Sequence, residues 1–149
     1  MISFTLKDIM EEVNKVIQKL HDKLKILIVD DAEYNRKTMS EILTNEGFNV
    51  VGLASSAEDA IKVSLVSKAN LIFIDIVMPE ISGMELLKYF QDKHPYAKYF
   101  IMMSSLHLES IVIESISNGA TDFLQKPFGK NDLIYTVEKV AKIVEKENH

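Results

Sequence analysis

Asp30 and Asp31, Asp75, and Lys126 each follow a run of large apolar residues, where packing alone gives no reason for a charge. The runs are Ile26-Leu27-Ile28-Val29, Leu71-Ile72-Phe73-Ile74 and Phe123-Leu124-Gln125, and Pro127 follows the lysine. If the runs are neighbouring parallel strands, three carboxylates and an ammonium converge at one edge of a sheet. Carboxylates that close repel one another unless a cation sits among them or protons are taken up. A lysine beside them is placed to receive a phosphate. The chemistry implied is that of a small phosphate-handling site. Taken singly, some of these residues have blander readings. Asp30 or Asp31 could cap the next helix, and Lys126-Pro127 could simply end a strand. Asp75 resists such a reading, because Pro79 and Gly83 punctuate a loop and a helix start just after it.

The elements that must position these groups can be read from hydrophobic periodicity. Strand candidates are 25–30, 48–53, 70–75, 99–104 and 121–126. Most lack in/out alternation, as expected of strands buried on both faces. Amphipathic segments lie between and after them, near 33–46, 57–68, 83–93, 108–118 and 131–146. Gly47 and Gly119 fall where helices should end, and Ser56 with Asp59 resembles a capping box. Five βα units with short connections predict an α/β fold, a parallel doubly wound sheet with helices on both faces. Such sheets bind ligands at the carboxyl ends of their strands, where the charged residues fall.

Residues 4–23 stand outside this alternation. Leu6, Ile9, Val13, Val16 and Leu20 follow an a/d spacing, Met10, Ile17 and Leu24 widen the stripe, and Glu11 with Lys15 forms an i,i+4 pair. The expectation is an additional N-terminal amphipathic helix. Its stripe either packs on its own domain or forms a dimer or partner surface. The division predicted is therefore 1–23, a helical extension, and 24–149, the main domain.

Bulk properties exclude several classes. A chain of 149 residues, 47% apolar and 26% charged, fits one domain with a proper core. With no cysteine, disulfides and thiolate metal sites are ruled out. A net charge of -5 without a basic stripe argues against nucleic acid as a partner. The start has no secretory pattern and no run is long enough for a membrane helix, so a soluble cytoplasmic protein is expected. No repeat, linker or second domain is visible.

With these residues in place, the chain resembles the receiver domain of two-component response regulators, of the CheY type. The pieces are Ile28-Val29-Asp30-Asp31, then Asp75-Ile76-Val77-Met78-Pro79 with Gly83, then Ser104, then Lys126-Pro127-Phe128. Any one is weak; all four in order at strand ends are specific, and the likeness covers about residues 24–146. It implies a flavodoxin-like sheet of order 2-1-3-4-5, an order that periodicity does not supply. It further implies that Asp75 accepts a phosphoryl group from a sensor histidine kinase or small phosphodonor. Asp31, Asp75 and the Val77 carbonyl would hold Mg²⁺, with Asp30 in support, and Lys126 would pair with a phosphoryl oxygen. Ser104 would donate its hydroxyl to another, beside a small Ser105. Ser104 and Phe123 would form the switch, although Phe123 stands where many chemotaxis members have tyrosine and carries no hydroxyl. Helix 108–118, strand 121–126 and helix 131–146 would be the output face. Val77 and Leu106 hold positions that influence self-hydrolysis in the family; neither can orient water, so a long-lived acyl phosphate is expected unless a phosphatase removes it.

The leading expectation is a stand-alone phosphorylation switch in chemotaxis or motility control, not an enzyme with turnover. Its target could be the flagellar motor switch, and it could dimerise through the N-terminal helix or the output face. The closest rival is a phosphorelay carrier that passes phosphate to another histidine protein. A dehalogenase-type aspartyl-phosphate hydrolase needs a second Asp where Val77 stands. A flavodoxin-like binder needs a Ser/Thr/Gly-rich loop where Asp30-Asp31-Ala32-Glu33 stands. A dimerisation or scaffold module leaves the acidic cluster unexplained. The scattered histidines His21, His94, His107 and His149 show no shared ligand spacing, and Met78, Met102 and Met103 read as core filling.

Overall fold

A computed structural model describes residues 3–147, with only the backbone of Leu20 described; His149 therefore lies outside the described residues. The elements follow one another as α1 (Leu6–Asp22), β1 (Lys25–Val29), α2 (Glu33–Asn45), β2 (Asn49–Ala54), α3 (Ala57–Ser67), β3 (Leu71–Asp75), α4 (Gly83–Lys93), β4 (Tyr99–Ser104), α5 (Glu109–Ser117), β5 (Asp122–Gln125) and α6 (Lys130–Glu147). The five strands are parallel and lie in the order β2-β1-β3-β4-β5, as the resemblance implied.

Burial explains the apolar runs. β3 and β4 are buried at every residue and β1 at all but Lys25, while the edge strands β2 and β5 are only partly covered. Successive side chains point to opposite faces. Ile26, Ile28, Leu71, Phe73, Ile101 and Met103 therefore meet Met39 and Leu43 of α2 and Leu133, Val137 and Val140 of α6. Leu27, Val29, Ile72, Ile74, Phe100 and Met102 meet Ala57 and Ala60 of α3 and Leu86, Leu87 and Phe90 of α4. Met78, Met102 and Met103 are all buried in this packing.

Local signals account for the element ends. Gly47 and Gly119 take φ of +88° and +96°, the left-handed region, just beyond α2 and α5. Ser56 Oγ accepts from the Asp59 N–H at 3.1 Å, but the Asp59 carboxylate accepts from Ser55 instead of Ser56, one residue short of a strict capping box. A reciprocal box that the sequence reading missed opens α1, where Thr5 Oγ1 accepts from Asp8 N–H and the Asp8 carboxylate accepts from Thr5 N–H. β5 stops at Gln125, one residue before its expected end, yet the Lys126 N–H still donates to the Ser104 carbonyl at 2.8 Å and holds the lysine in line with the sheet.

α1 differs from every other helix. Leu6, Ile9, Met10, Val13 and Val16 are each at least half exposed, so packing of the stripe on its own domain is not what the fold uses. Among the described residues, only the C-terminal end of α1 touches the body. Gln18 Nε2 donates to the Gly47 carbonyl at 3.2 Å, and the His21 ring lies 4.0 Å from that of Phe48. Lys15 pairs with Glu12 at 3.3 Å and not with Glu11, a correction of the expected i,i+4 pair; at this exposure either pairing contributes little. Among the described residues, no helix is long and apolar enough to cross a membrane.

Candidate functional site

β1 and β3 are neighbours in register, with Val29 opposite Ile74, so the residues that follow leave the sheet side by side. Asp30 is fully buried and Asp75 nearly so, while Asp31 is exposed. One carboxylate oxygen from each of the three lies within 4.8 Å of the others. From the far edge of the sheet Lys126 reaches this cluster, its Nζ 2.6 Å from Asp30 Oδ2 and 3.4 Å from Asp75 Oδ2. The four charged strand-end residues thus share one site. In this state the ammonium is already engaged by Asp30, a partner the sequence reading did not assign to it.

Asp30 does not cap α2, whose N-cap position is Ala32 with no side-chain cap. Its carboxylate is held in place instead. Oδ1 accepts from the Ala32 N–H at 2.9 Å, Oδ2 accepts from Asn35 Nδ2 at 3.3 Å, and the Asp30 carbonyl accepts from Arg36 Nη1 at 2.6 Å. Asn35 and Arg36 were missed from the sequence; their spacing five and six residues after Asp30, on the first turns of the next helix, was the available signal. Asp75 Oδ1 accepts the Val77 N–H at 3.3 Å. The loop after Asp75 folds back tightly: Gly83 N–H donates to the Ile76 carbonyl at 2.8 Å, and a Cβ at Gly83 would stand 2.2 Å from the Asp75 carbonyl oxygen. Only glycine permits that approach. Ser82, also missed, caps α4 by accepting from the Glu85 N–H at 3.2 Å.

The remaining predicted residues surround this centre. Ser104 ends β4, fully buried, and its Oγ accepts the Leu106 N–H at 3.0 Å. Gln125 Nε2 donates to the Ser104 and Leu106 carbonyls at 3.3 and 3.4 Å, tying that loop to β5. Ser105 and Lys126 share the lining of a cavity of about 520 Å³ with Tyr34, Thr38 and Phe128. Val77 and Leu106 are exposed, at 56% and 41%. Phe123 is half-buried and packs against the α3/α4 side of the core. Of the histidines, His94 is buried and its Nδ1 accepts the Ala97 N–H at 3.2 Å, a structural role in the turn after α4. His21 packs on Phe48 and does not lie free at the surface.

The electrostatics of the centre are unbalanced. Burial, opposed by the Lys126 charge and reinforced by the Asp30 carboxylate, pushes the Asp75 carboxyl up to about 6. Burial works against the Lys126 charge as well, but the hydrogen bond to Asp30 and the Asp75 carboxylate outweigh it and hold its proton more tightly than usual. One ammonium therefore does not neutralise the cluster. Three hard carboxylate oxygens short of positive charge form a donor set suited to a divalent cation such as Mg²⁺.

The comparisons with known proteins agree with this geometry. The response regulator receiver domain family matches residues 26–138. The chain belongs to that family. It is similar to the chemotaxis protein CheY of Listeria monocytogenes, 38% identical over 119 residues, covering 80% of this chain and 99% of the relative. Among solved structures, a CheY-like response regulator receiver domain protein of Methanospirillum hungatei superposes with a TM-score of 0.74 at 28% identity, over 83% of this chain and 98% of that one. CheY in a CheX-CheY-BeF3-Mg complex from Borrelia burgdorferi gives 0.70 at 29% identity, over 78% and 88%. The family match lies within the βα-alternating part of the chain, outside α1.

Proposed function

We propose that the protein is a response regulator whose Asp75 accepts a phosphoryl group and thereby switches a docking face. One observation carries the reading: the Asp75 carboxylate, buried at a strand end, lies 3.4 Å from Lys126 and within the oxygen cluster of Asp30 and Asp31. A carboxylate oxygen of Asp75 attacks phosphorus in line; an O–P bond forms as the P–N bond of a phosphohistidine, or the P–O bond of a small phosphodonor, breaks. Asp30, Asp31, Asp75 and the Val77 carbonyl would hold Mg²⁺, which supplies charge neutralisation for the cluster and the transferring group. Lys126 then turns from Asp30 toward a phosphoryl oxygen, and Ser104 gives up its contact with Leu106 N–H to donate its hydroxyl to another.

The new dianion thereby pulls the Ser104 loop inward, and Phe123 fills the space left behind by packing alone. The readout face is α5, β5 and α6, where Ile113, Ile116 and Tyr135 stand exposed for a target. In this reading residues 24–149 are the receiver unit and residues 1–23 an extension outside it. The Listeria relative's name supports a chemotaxis setting; in this reading the donor is a sensor histidine kinase and the flagellar motor switch is a target class, as the family resemblance implies. The Borrelia complex supports a CheX-like partner, in keeping with removal of the phosphoryl group by a phosphatase.

The test is incubation with Mg²⁺ and acetyl phosphate followed by intact mass. One added phosphoryl group is expected, absent in Asp75→Ala and absent without Mg²⁺; no adduct with any donor overturns the reading. In the same assay the adduct should decay slowly, and Val77→Asn with Leu106→Glu should hasten the decay. A double variant that decays no faster removes the role given to those two side chains.

A further inference from the structure

The apolar face of α1 has no partner among the described residues. Phe4, Leu6, Ile9, Met10, Val13, Val16 and Ile17 are between 44% and 73% exposed. Together they present on the order of 700 Å² per copy, more than the largest patch of a typical monomer and close to the roughly 800 Å² per partner of a standard interface. The helix is also placed to offer this surface. Gln18 and His21 fasten its C-terminal end to the Gly47-Phe48 corner, while the Thr5-Asp8 box closes the free end. A helix of 17 residues with so little of its stripe packed draws little stability from its own domain.

The charges on α1 identify the occupant. Lys7 against Asp8, Glu11 and Glu12 leaves the first half two charges negative, and Lys15 and Lys19 against Asp22 leave the second half one positive, with Lys23 at the C-cap adding to it. In the heptad frame with Leu6, Val13 at a and Ile9, Val16 at d, the g positions are Glu12 and Lys19 and the e positions Met10 and Ile17. We propose that α1 pairs antiparallel with α1 of a second copy of this chain. Val13 of one copy then faces Val16 of the other on both sides of the two-fold axis. Antiparallel pairing brings g against g and e against e, so Glu12 meets Lys19 twice and Met10 meets Ile17 twice. A parallel pair would set acidic half beside acidic half and leave Glu12 facing Ile17. The antiparallel arrangement also brings Met10 of the second copy to a cavity of about 210 Å³ between α1 and α6, lined by Ile17, His21 and Ala141 and flanked by Glu138 and Lys142. The proposal does not rest on the phosphoryl chemistry and holds equally for Asp75→Ala.

Sedimentation equilibrium of the full chain, with circular dichroism to verify helicity, tests the association. A dimer is expected, lost in Val13→Asp. Glu12→Lys and Lys19→Glu should each weaken it by about fivefold or more, since each replaces two favourable contacts by two repulsive ones. An equimolar mixture of those two single variants should form a heterodimer at least as tight as the parent, because every g pair is then opposite in charge. The orientation can be read by disulfide trapping, since the chain has no native cysteine. Val13→Cys mixed with Val16→Cys should cross-link to each other in preference to themselves. A monomer at all accessible concentrations, a mixture that fails to restore association, or preferential self-linking of Val13→Cys would each overturn the proposal.

Discussion

α1 and α6 are nearly the same length, 17 and 18 residues, and both carry an apolar stripe, yet their fates are opposite. In α6 the stripe of Leu133, Val137, Val140 and Val144 is buried against β1, β3, β4 and α2. In α1 the stripe stays in solvent except at its last turns. The difference lies in what surface is left. α2 and α6 already cover one face of the sheet, α3 and α4 the other, and a helix that arrives before β1 finds no strand to cover. Amphipathicity thus records that a helix has an apolar face without saying what, if anything, in its own domain covers it.

The contrast breaks most directly if both helices turn out to belong to one cooperative core. Leu133→Ala should cost about 2–5 kcal/mol of unfolding free energy, as expected for a fully buried leucine. Val13→Ala, measured in dilute protein where α1 stands alone, should cost under about 0.5 kcal/mol. Equal losses in urea denaturation would place α1 inside the core after all. The site offers a second way to sharpen the difference, because its unbalanced charge burdens the body alone. Asp75 binds its proton more tightly folded, at about 6, than in an unfolded chain, where 3.8 applies. Its ionised form therefore destabilises the fold at pH above about 6, and this penalty fades as pH falls through 6 toward 4. Without divalent cations, Asp75→Asn should stabilise the body by roughly 1–3 kcal/mol at pH 7.5 and not at all near pH 3.5, with α1 helicity unchanged. The smallest effect concerns the free end of α1. Thr5→Ala removes the reciprocal cap and should weaken the first turn of the helix by about 1 kcal/mol, lowering the helical circular dichroism signal slightly. The unfolding midpoint of the body should not move.

The sheet and the acidic centre were legible because the signals for them are local and redundant. Each buried strand is a continuous apolar run, and a charge directly after such a run has few structural uses, so Asp30, Asp75 and Lys126 stood out before any fold was known. The supporting contacts were not legible in the same way. Asn35, Arg36 and Gln125 are ordinary polar residues; the nearness of Asn35 and Arg36 to Asp30 in the chain was a faint signal, and nothing local says that Gln125 reaches the Ser104 and Leu106 carbonyls. Lys15 illustrates the limit at short range: Glu11 and Glu12 lie four and three residues away, both spacings put charges on one helix face, and side-chain rotamers chose between them.

By itself, the sequence determined the βα alternation, the two-faced burial of the strands and the charged residues at their carboxyl ends, because period and composition are properties of contiguous residues. Strand order came with the family resemblance, since nothing local encodes which strands pair. Tertiary structure alone decided that Lys126 lies across the sheet edge on Asp30, that burial raises the proton affinity of Asp75, and that the stripe of α1 remains uncovered while that of α6 does not. Each of these depends on which distant segments come together, and on how much sheet surface is left once they have.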